Sequence, residues 1–157
     1  MSVEQEARPK TTSRARTLTV SEVVQETKDS ITISFEVPDE IVDDFKHQPG
    51  QFITLKIPSD QTGHVARCYS LSSSPHVDDF RLEIGVKRTD GGYASNWLCD
   101  NISVGMQVTA LPPSGQFTAK NLDVDMLFFA GGSGITPVLS LVKSALVSGG
   151  GEVALFY

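Results

Sequence analysis

Ser30-Ile31-Thr32-Ile33-Ser34-Phe35-Glu36-Val37 alternates polar and apolar side chains with a period of two. A strand turns successive side chains to opposite faces, so Ile31, Ile33, Phe35 and Val37 predict the buried face of a half-buried strand. The same alternation returns at Ile53, Leu55 and Ile57, and again at Phe80, Leu82, Ile84 and Val86. Pro38, Pro49-Gly50, Pro58 and Pro75 punctuate these runs. Short strands at such spacing predict an antiparallel sandwich or barrel. One short helix interrupts the pattern: Gly91-Gly92 leads into Tyr93 to Leu98, with Trp97 and Leu98 facing inward. The sheet resumes around Gln107 to Leu111, and Pro112-Pro113-Ser114-Gly115 is expected to close a turn before Phe117.

Near residue 125 the pattern changes. Met126-Leu127-Phe128-Phe129-Ala130 is a continuous apolar run, as expected for a parallel strand buried on both faces. Gly131-Gly132-Ser133-Gly134 follows, then Ile135, Val138, Leu139, Val142 and Leu146 recur at helical spacing. Gly149-Gly150-Gly151 ends that helix, and Val153 to Tyr157 begins a second apolar strand. The pattern is that of a strand–helix–strand unit cut at its second strand, so the chain is expected to be a fragment that stops inside a domain and leaves strand edges exposed. At the other end residues 1–15 carry no hydrophobic period and read as a flexible leader. The organisation is therefore a leader over 1–15, a β domain over 16–120 and the start of an α/β domain over 124–157.

The 157 residues carry a net charge of −6, and four of their basic groups lie in the first 16 residues, which leaves nine basic against seventeen acidic in the remainder. That balance argues against a nucleic-acid surface, which needs clustered Lys and Arg. The longest apolar run, Met126 to Ala130, falls far short of the roughly 18 residues of a membrane span. With a polar N-terminus and no secretory pattern, a cytoplasmic protein with two reduced thiols, Cys68 and Cys99, is expected. His47, His64 and His76 have no ligand-spaced partners, so no metal site is expected. His47 and His76 lie beside prolines in turns and read as solvated, as does Asp78-Asp79.

Three constellations carry chemistry. Arg67-Cys68-Tyr69-Ser70 ends a strand: arginine offers a forked donor for phosphate, tyrosine a flat face with a polar tip, and serine a small hydroxyl. Alternation sets Arg67 and Tyr69 on one side and Cys68 and Ser70 on the other. Gly92-Tyr93-Ala94-Ser95-Asn96 opens a helix whose free N–H groups suit a pyrophosphate, with Lys87 and Arg88 the nearest cations. Gly131 to Pro137 (Gly-Gly-Ser-Gly-Ile-Thr-Pro) lies between a buried strand and a helix, where a nucleotide phosphate can approach the helix start. It matches neither the dinucleotide fingerprint nor a P-loop. Each constellation alone also fits an ordinary strand, a capped helix or a glycine turn.

In this order the three resemble the ferredoxin–NADP reductase superfamily, with Pro49-Gly50-Gln51-Phe52 and Gly115-Gln116-Phe117 similar to its turns. The run Ala66 to Pro75 with Val86-Lys87-Arg88-Thr89 is most similar to reductase components of bacterial ring-hydroxylating oxygenases, of the 3-ketosteroid 9α-hydroxylase and phenylacetyl-CoA epoxidase reductase type. The resemblance implies a six-stranded antiparallel FAD-binding β-barrel with one short helix, followed by the truncated start of an α/β nucleotide-binding domain. It implies an oxidoreductase that takes electrons from NADH or NADPH and passes them singly to an iron–sulfur domain or a Rieske-type oxygenase.

By the same resemblance Arg67 pairs with the FAD pyrophosphate, Tyr69 lies against the flavin, and Ser70 hydrogen-bonds near flavin N5, Ser70 and Tyr69 being the residues at the redox centre. Cys68, Gly85, Val86, Lys87, Gly92, Tyr93, Ala94 and Ser95 complete the FAD site. Thr136 comes near the flavin edge, and Gly131, Gly132, Ser133, Gly134, Ile135, Thr136 and Pro137 form the nicotinamide-nucleotide turn. Relatives of this kind carry a 2Fe–2S domain on four cysteines; two cysteines cannot build it, so such a cluster is expected only in a missing C-terminal domain. Two other readings remain open on the residues: a cofactor-free barrel that docks a partner through its open edge, and a flavin reductase treating flavin as a diffusible substrate.

Overall fold

The computed structural model describes residues 14–78 and 81–157, so nearly all of the expected leader, and Phe80, lie outside the described residues. Eight strands and two α-helices follow one another: β1 (Arg16–Thr27), β2 (Ser30–Glu36), β3 (Phe52–Ser59), β4 (Gly63–Ser70), β5 (Leu82–Lys87), α1 (Tyr93–Asn101), β6 (Gln107–Ser114), β7 (Met126–Phe129), α2 (Ile135–Ser148) and β8 (Val153–Phe156).

The first six strands form one antiparallel sheet in the order β4-β3-β6-β1-β2-β5. Its two outer strands come together through a single bridge, Leu71 to Ile84, so the sheet curls into a barrel with a seam between β4 and β5. The alternating residues meet inside: Ile33, Ile53, Leu55, Ile57 and Ile84 are wholly buried. Burial of a side chain of this kind contributes about 1.5–3 kcal/mol, so the period-two pattern is the main term holding the barrel together. α1 caps one end with Ala94 and Leu98, and Trp97 packs partly against the same core. A 3-10 helix over Asp39–Phe45, which the strand pattern does not signal, brings Phe45 into the core as well.

Two details depart from the alternation. β6 runs on through Pro112-Pro113 to Ser114, where a turn was expected. Its pairing with β3 slips between Phe52 and Thr54, and this irregularity accommodates prolines that have no N–H for the ladder. Ser34, read as outward-facing, is buried because it pairs with Glu22 on one side and Glu83 on the other. Those longer side chains, bonded to Arg81 and Lys143, cover it.

β7 and β8 pair in parallel with α2 between them, as the apolar runs predict. The expectation that β7 is buried on both faces does not hold: Leu127 is 59% and Phe129 72% exposed. α2 covers one face of this two-stranded sheet, and no described element covers the other. Gly149-Gly151 makes the return possible, since a Cβ at Gly151 would stand 2.2 Å from the Val124 carbonyl carbon. Asp123 and Asp125 accept hydrogen bonds from the N–H groups of Gly150 and Glu152, which fastens the helix exit to the strand entry.

Candidate functional site

The seam that closes the barrel also opens a groove, a cavity of about 720 Å³. Volumes of this order hold small-molecule ligands. Three walls meet there: the end of β4, the end of β5 with the turn into α1, and the start of α2.

Arg67, Cys68, Tyr69 and Ser70 all line the groove, on both sides of the strand's alternation. They can do so because β4 is an edge strand at the seam, with no neighbour hydrogen-bonded beyond it over these residues. Arg67 donates through Nη1 to the Ala66 carbonyl at 2.8 Å and pairs with no carboxylate among the described residues. Burial pushes the Tyr69 phenol up from its ordinary value, so it stays neutral and able to donate. Cys68 Sγ stands 3.4 Å from the Thr54 hydroxyl.

The second wall carries two more cations, both engaged. Arg88 bonds Asp100 at 2.5 Å, and that bond holds the Asp100 carboxyl below its usual range. Lys87 stands 3.7 Å from Asp29, whose carboxyl is lowered first by the Thr27 hydroxyl and then by Lys87. Arg67 is thus the groove cation without a carboxylate partner among the described residues, engaged only through Nη1 on a main-chain carbonyl, and a guanidinium so placed can still donate to a phosphate.

α1 begins at Gly92 in extended conformation without a side-chain cap, so its first N–H groups face the groove unsatisfied by any side chain. A Cβ on Gly92 would stand 2.9 Å from Thr89 Cβ and 3.0 Å from Ser95 Oγ. Ser95 Oγ accepts from the Thr89 N–H at 3.2 Å, which leaves its own proton to donate. The Tyr93 hydroxyl donates to the Pro58 carbonyl at 2.7 Å and fixes its ring on the rim, beside Ala94. An arginine without a carboxylate partner and an uncapped helix start in one groove suit an elongated ligand with a diphosphate at its middle, as FAD is.

The third wall is narrower than the glycine turn suggested. Ser133 and Thr136 reach the groove, whereas Gly131, Gly132, Gly134, Ile135 and Pro137 do not line it. Thr136 Oγ1 lies 3.7 Å from where a Cβ on Gly85 would be, so α2 stands close against β5. Val86 is 2% exposed with its side chain in the barrel core and does not line the groove, because the strand alternation turns it to the opposite face from Gly85 and Lys87. Thr89 and Asp90 line the groove unanticipated. The contiguous polar run Lys87-Arg88-Thr89-Asp90 ahead of Gly91-Gly92 was the signal available for them.

His47 was expected in solvent and is instead buried, its Nδ1 3.4 Å from the Phe45 carbonyl and its Nε2 without a partner among the described residues. Burial lowers its pKa, opposed by the main chains of Phe45 and Ser73 and by Asp78. The packing of the loop 72–78 over this histidine is a tertiary event that a proline neighbour does not announce. Asp78 likewise departs from a solvated turn, accepting from the Ser74 N–H and from Lys143. Among the described residues no three His, Cys, Asp or Glu side chains converge as a metal site, and no helix is long and apolar enough to cross a membrane.

A sequence model described as the oxidoreductase FAD-binding domain matches residues 17–119. The ferredoxin reductase component of 3-ketosteroid-9-alpha-monooxygenase from Rhodococcus rhodochrous is 61% identical over 92% of this chain and 41% of its own length. The corresponding Mycolicibacterium smegmatis protein is 57% identical over 89% and 40%. A glycine betaine monooxygenase reductase subunit from Pseudomonas aeruginosa is 43% identical over 77% and 32%. The chain thus spans about two fifths of the length of the steroid-system relatives. Among solved structures, phthalate dioxygenase reductase superposes with a TM-score of 0.78 at 24% identity, over 91% of this chain and 43% of its own. The ferredoxin reductase of carbazole 1,9a-dioxygenase gives 0.72 at 26% identity, over 91% and 42%. A seamed antiparallel barrel and a family match over residues 17–119 lead to one assignment: the chain belongs to the oxidoreductase FAD-binding domain family.

Proposed function

We propose that the seam groove is the FAD site of an NADH- or NADPH-dependent reductase component. The reductase delivers single electrons to an iron–sulfur acceptor, either a 2Fe–2S domain or a Rieske-type oxygenase acting on a steroid or an aromatic ring. The observation that carries this reading is the convergence on one groove of Arg67 to Ser70, the uncapped start of α1 and the first turn of α2. The close likeness to steroid-monooxygenase reductase components supports the choice of a steroid over other ring substrates. A cytoplasmic setting, where reduced nicotinamide nucleotides are made, fits the same reading.

Bound FAD supplies the chemistry, taking up a hydride and giving out its two electrons one at a time. The residues of the chain bind and orient. Arg67 would hold the pyrophosphate through its guanidinium, together with the first N–H groups of α1 and the Ser95 hydroxyl. Gly92 lets the phosphate approach the main chain. Tyr69 offers its half-buried ring to the flavin, and Ser70 a hydroxyl to the ring nitrogen at the reacting position. Cys68, Gly85, Lys87, Tyr93 and Ala94 wall the site. Thr136 and Ser133 stand at its mouth, where the nicotinamide enters, with the Gly131 to Pro137 turn receiving the nucleotide phosphate.

Anaerobic addition of NADH or NADPH to the natural FAD-loaded protein tests the reading. Bleaching of the flavin absorbance, followed by reduction of an added iron–sulfur protein, is expected. Flavin that stays oxidised under both nucleotides rules the reductase function out.

A further inference from the structure

Behind the groove lies a set of buried hydroxyls that the cofactor reading does not use. Ser73 and Ser74, in the loop that continues β4 past Ser70, and Ser140 and Ser144 on α2 are all fully buried. Ser140 Oγ donates to the Ser73 carbonyl at 2.5 Å. Ser144 Oγ donates to the Ser140 carbonyl at 2.7 Å, so the 2.8 Å contact between Ser74 and Ser144 uses the Ser74 proton. A hydroxyl has one proton, and this assignment gives Ser74, Ser140 and Ser144 one donor role each.

The same loop is fastened to β5. The Ser72 N–H donates to the Glu83 carbonyl at 2.8 Å, the Ser72 hydroxyl lies 3.0 Å from the Glu83 carboxylate and 3.2 Å from its carbonyl, and Ser73 Oγ accepts from the Glu83 N–H at 3.1 Å. Lys143 adds Asp78 at 3.3 Å and Glu83 at 3.9 Å. One hydrogen-bonded junction therefore ties together the three elements that line the groove: the end of β4, β5 and α2. Thr136, Ser140 and Ser144 follow one another at intervals of four on a single helix face, with Thr136 at the groove and the serines at the junction.

An apolar contact fixes distance loosely, because side chains of similar size repack. A chain of buried hydrogen bonds tolerates only narrow ranges of length and angle and costs the desolvation of its groups when broken. We propose that Ser140 and Ser144 are positioning residues: their bonds to Ser73 and Ser74 set how far Thr136 and Ser133 stand from Gly85, and hence the width of the flavin groove. The inference rests on the FAD reading of that groove.

The test compares Ser140→Ala/Ser144→Ala with the wild type and with Ile57→Val, a barrel-core variant that lowers stability without touching the junction. Visible-region circular dichroism of bound FAD and the rate of FAD dissociation are measured, with the unfolding temperature as control. The serine double variant is expected to shift the flavin dichroism and to release FAD about threefold to tenfold faster, as for the loss of one to two ordinary hydrogen bonds. Ile57→Val is expected to leave both signals at wild-type values despite a lower unfolding temperature. The single variant Ser144→Ala, which keeps the Ser140 bond to Ser73, gives the same direction at smaller size and serves should the double variant not fold. Wild-type dichroism and dissociation in the serine variants overturn this inference alone. A wild-type protein that takes up no FAD overturns the functional reading, and this inference with it.

Discussion

The barrel and the strand–helix–strand unit beside it are held by different physics. Inside the barrel, wholly buried aliphatic side chains from six strands meet one another. Between the barrel and α2 the most deeply buried residues include Ser140 and Ser144, while Leu139, Leu146 and Val147 of the same helix are exposed. The first interface is non-directional and large, and it makes a rigid wall. The second is directional and small, and it sets a position. The groove between them has one wall that defines its shape and another whose placement is adjustable by a few hydrogen bonds.

The largest expected effect separates the two regions by stability. Leu55→Ala removes a fully buried side chain of β3 and is expected to cost about 2–5 kcal/mol in urea unfolding. Leu146→Ala, at a residue 67% exposed, is expected to stay within about 0.5 kcal/mol. Equal losses would break the comparison.

Next comes Arg67→Ala, which leaves the barrel core intact and removes the groove's unpaired cation. FAD affinity is expected to fall about tenfold to a hundredfold at unchanged unfolding temperature, the range for a hydrogen bond to a charged group. Unchanged affinity in a fluorescence titration would remove Arg67 from the site.

Smaller again is a pH effect at His47, beneath the loop that carries Ser73. Its pKa in the folded protein lies below the ordinary 6.5, with desolvation the main cause. The unfolded chain therefore takes up this proton more readily, and the His47 contribution is present above pH 6.5 and lost as pH falls through and below it. The loss is at most about 1.4 kcal/mol per pH unit, the limit for one proton. His47→Leu is expected to flatten the slope of stability against pH in this window. An identical slope in that variant would assign the acid sensitivity elsewhere.

Least is expected of Asp100→Asn. The Arg88 pair it breaks is solvent-exposed, and exposed pairs contribute little to stability. A large drop in unfolding temperature would show that α1 depends on that pair and not on Ala94 and Leu98.

The barrel was legible because its signal is local. Ile53, Leu55 and Ile57 alternate within one strand, and their burial needs only that strand to find a partner. The lining of the groove was legible for a related reason, since Arg67 to Ser70 and Gly92 to Ser95 are contiguous runs that the seam brings together. What escaped depends on contacts distant in the chain. Ser140 and Ser144 are small polar residues in a helix, and nothing near them in sequence announces Ser73 and Ser74. Pro112-Pro113 reads as a turn, yet a slipped register lets the strand run on. The apolar run of β7 reads as buried on both faces, but helix α2 covers only one of them, and Phe129 stacks on Phe156 at 5.3 Å on exposed rings.

The account stands or falls on what the seam groove holds. The measurement that reaches it most directly is the absorbance spectrum of the purified protein after incubation with FAD, or separately with FMN, and removal of the free cofactor. If Arg67 and the start of α1 hold a diphosphate, as proposed, FAD is expected to remain bound with its flavin bands and FMN to wash away. A folded protein left colourless by FAD, or one that retains both flavins equally, would contradict the assignment of the groove.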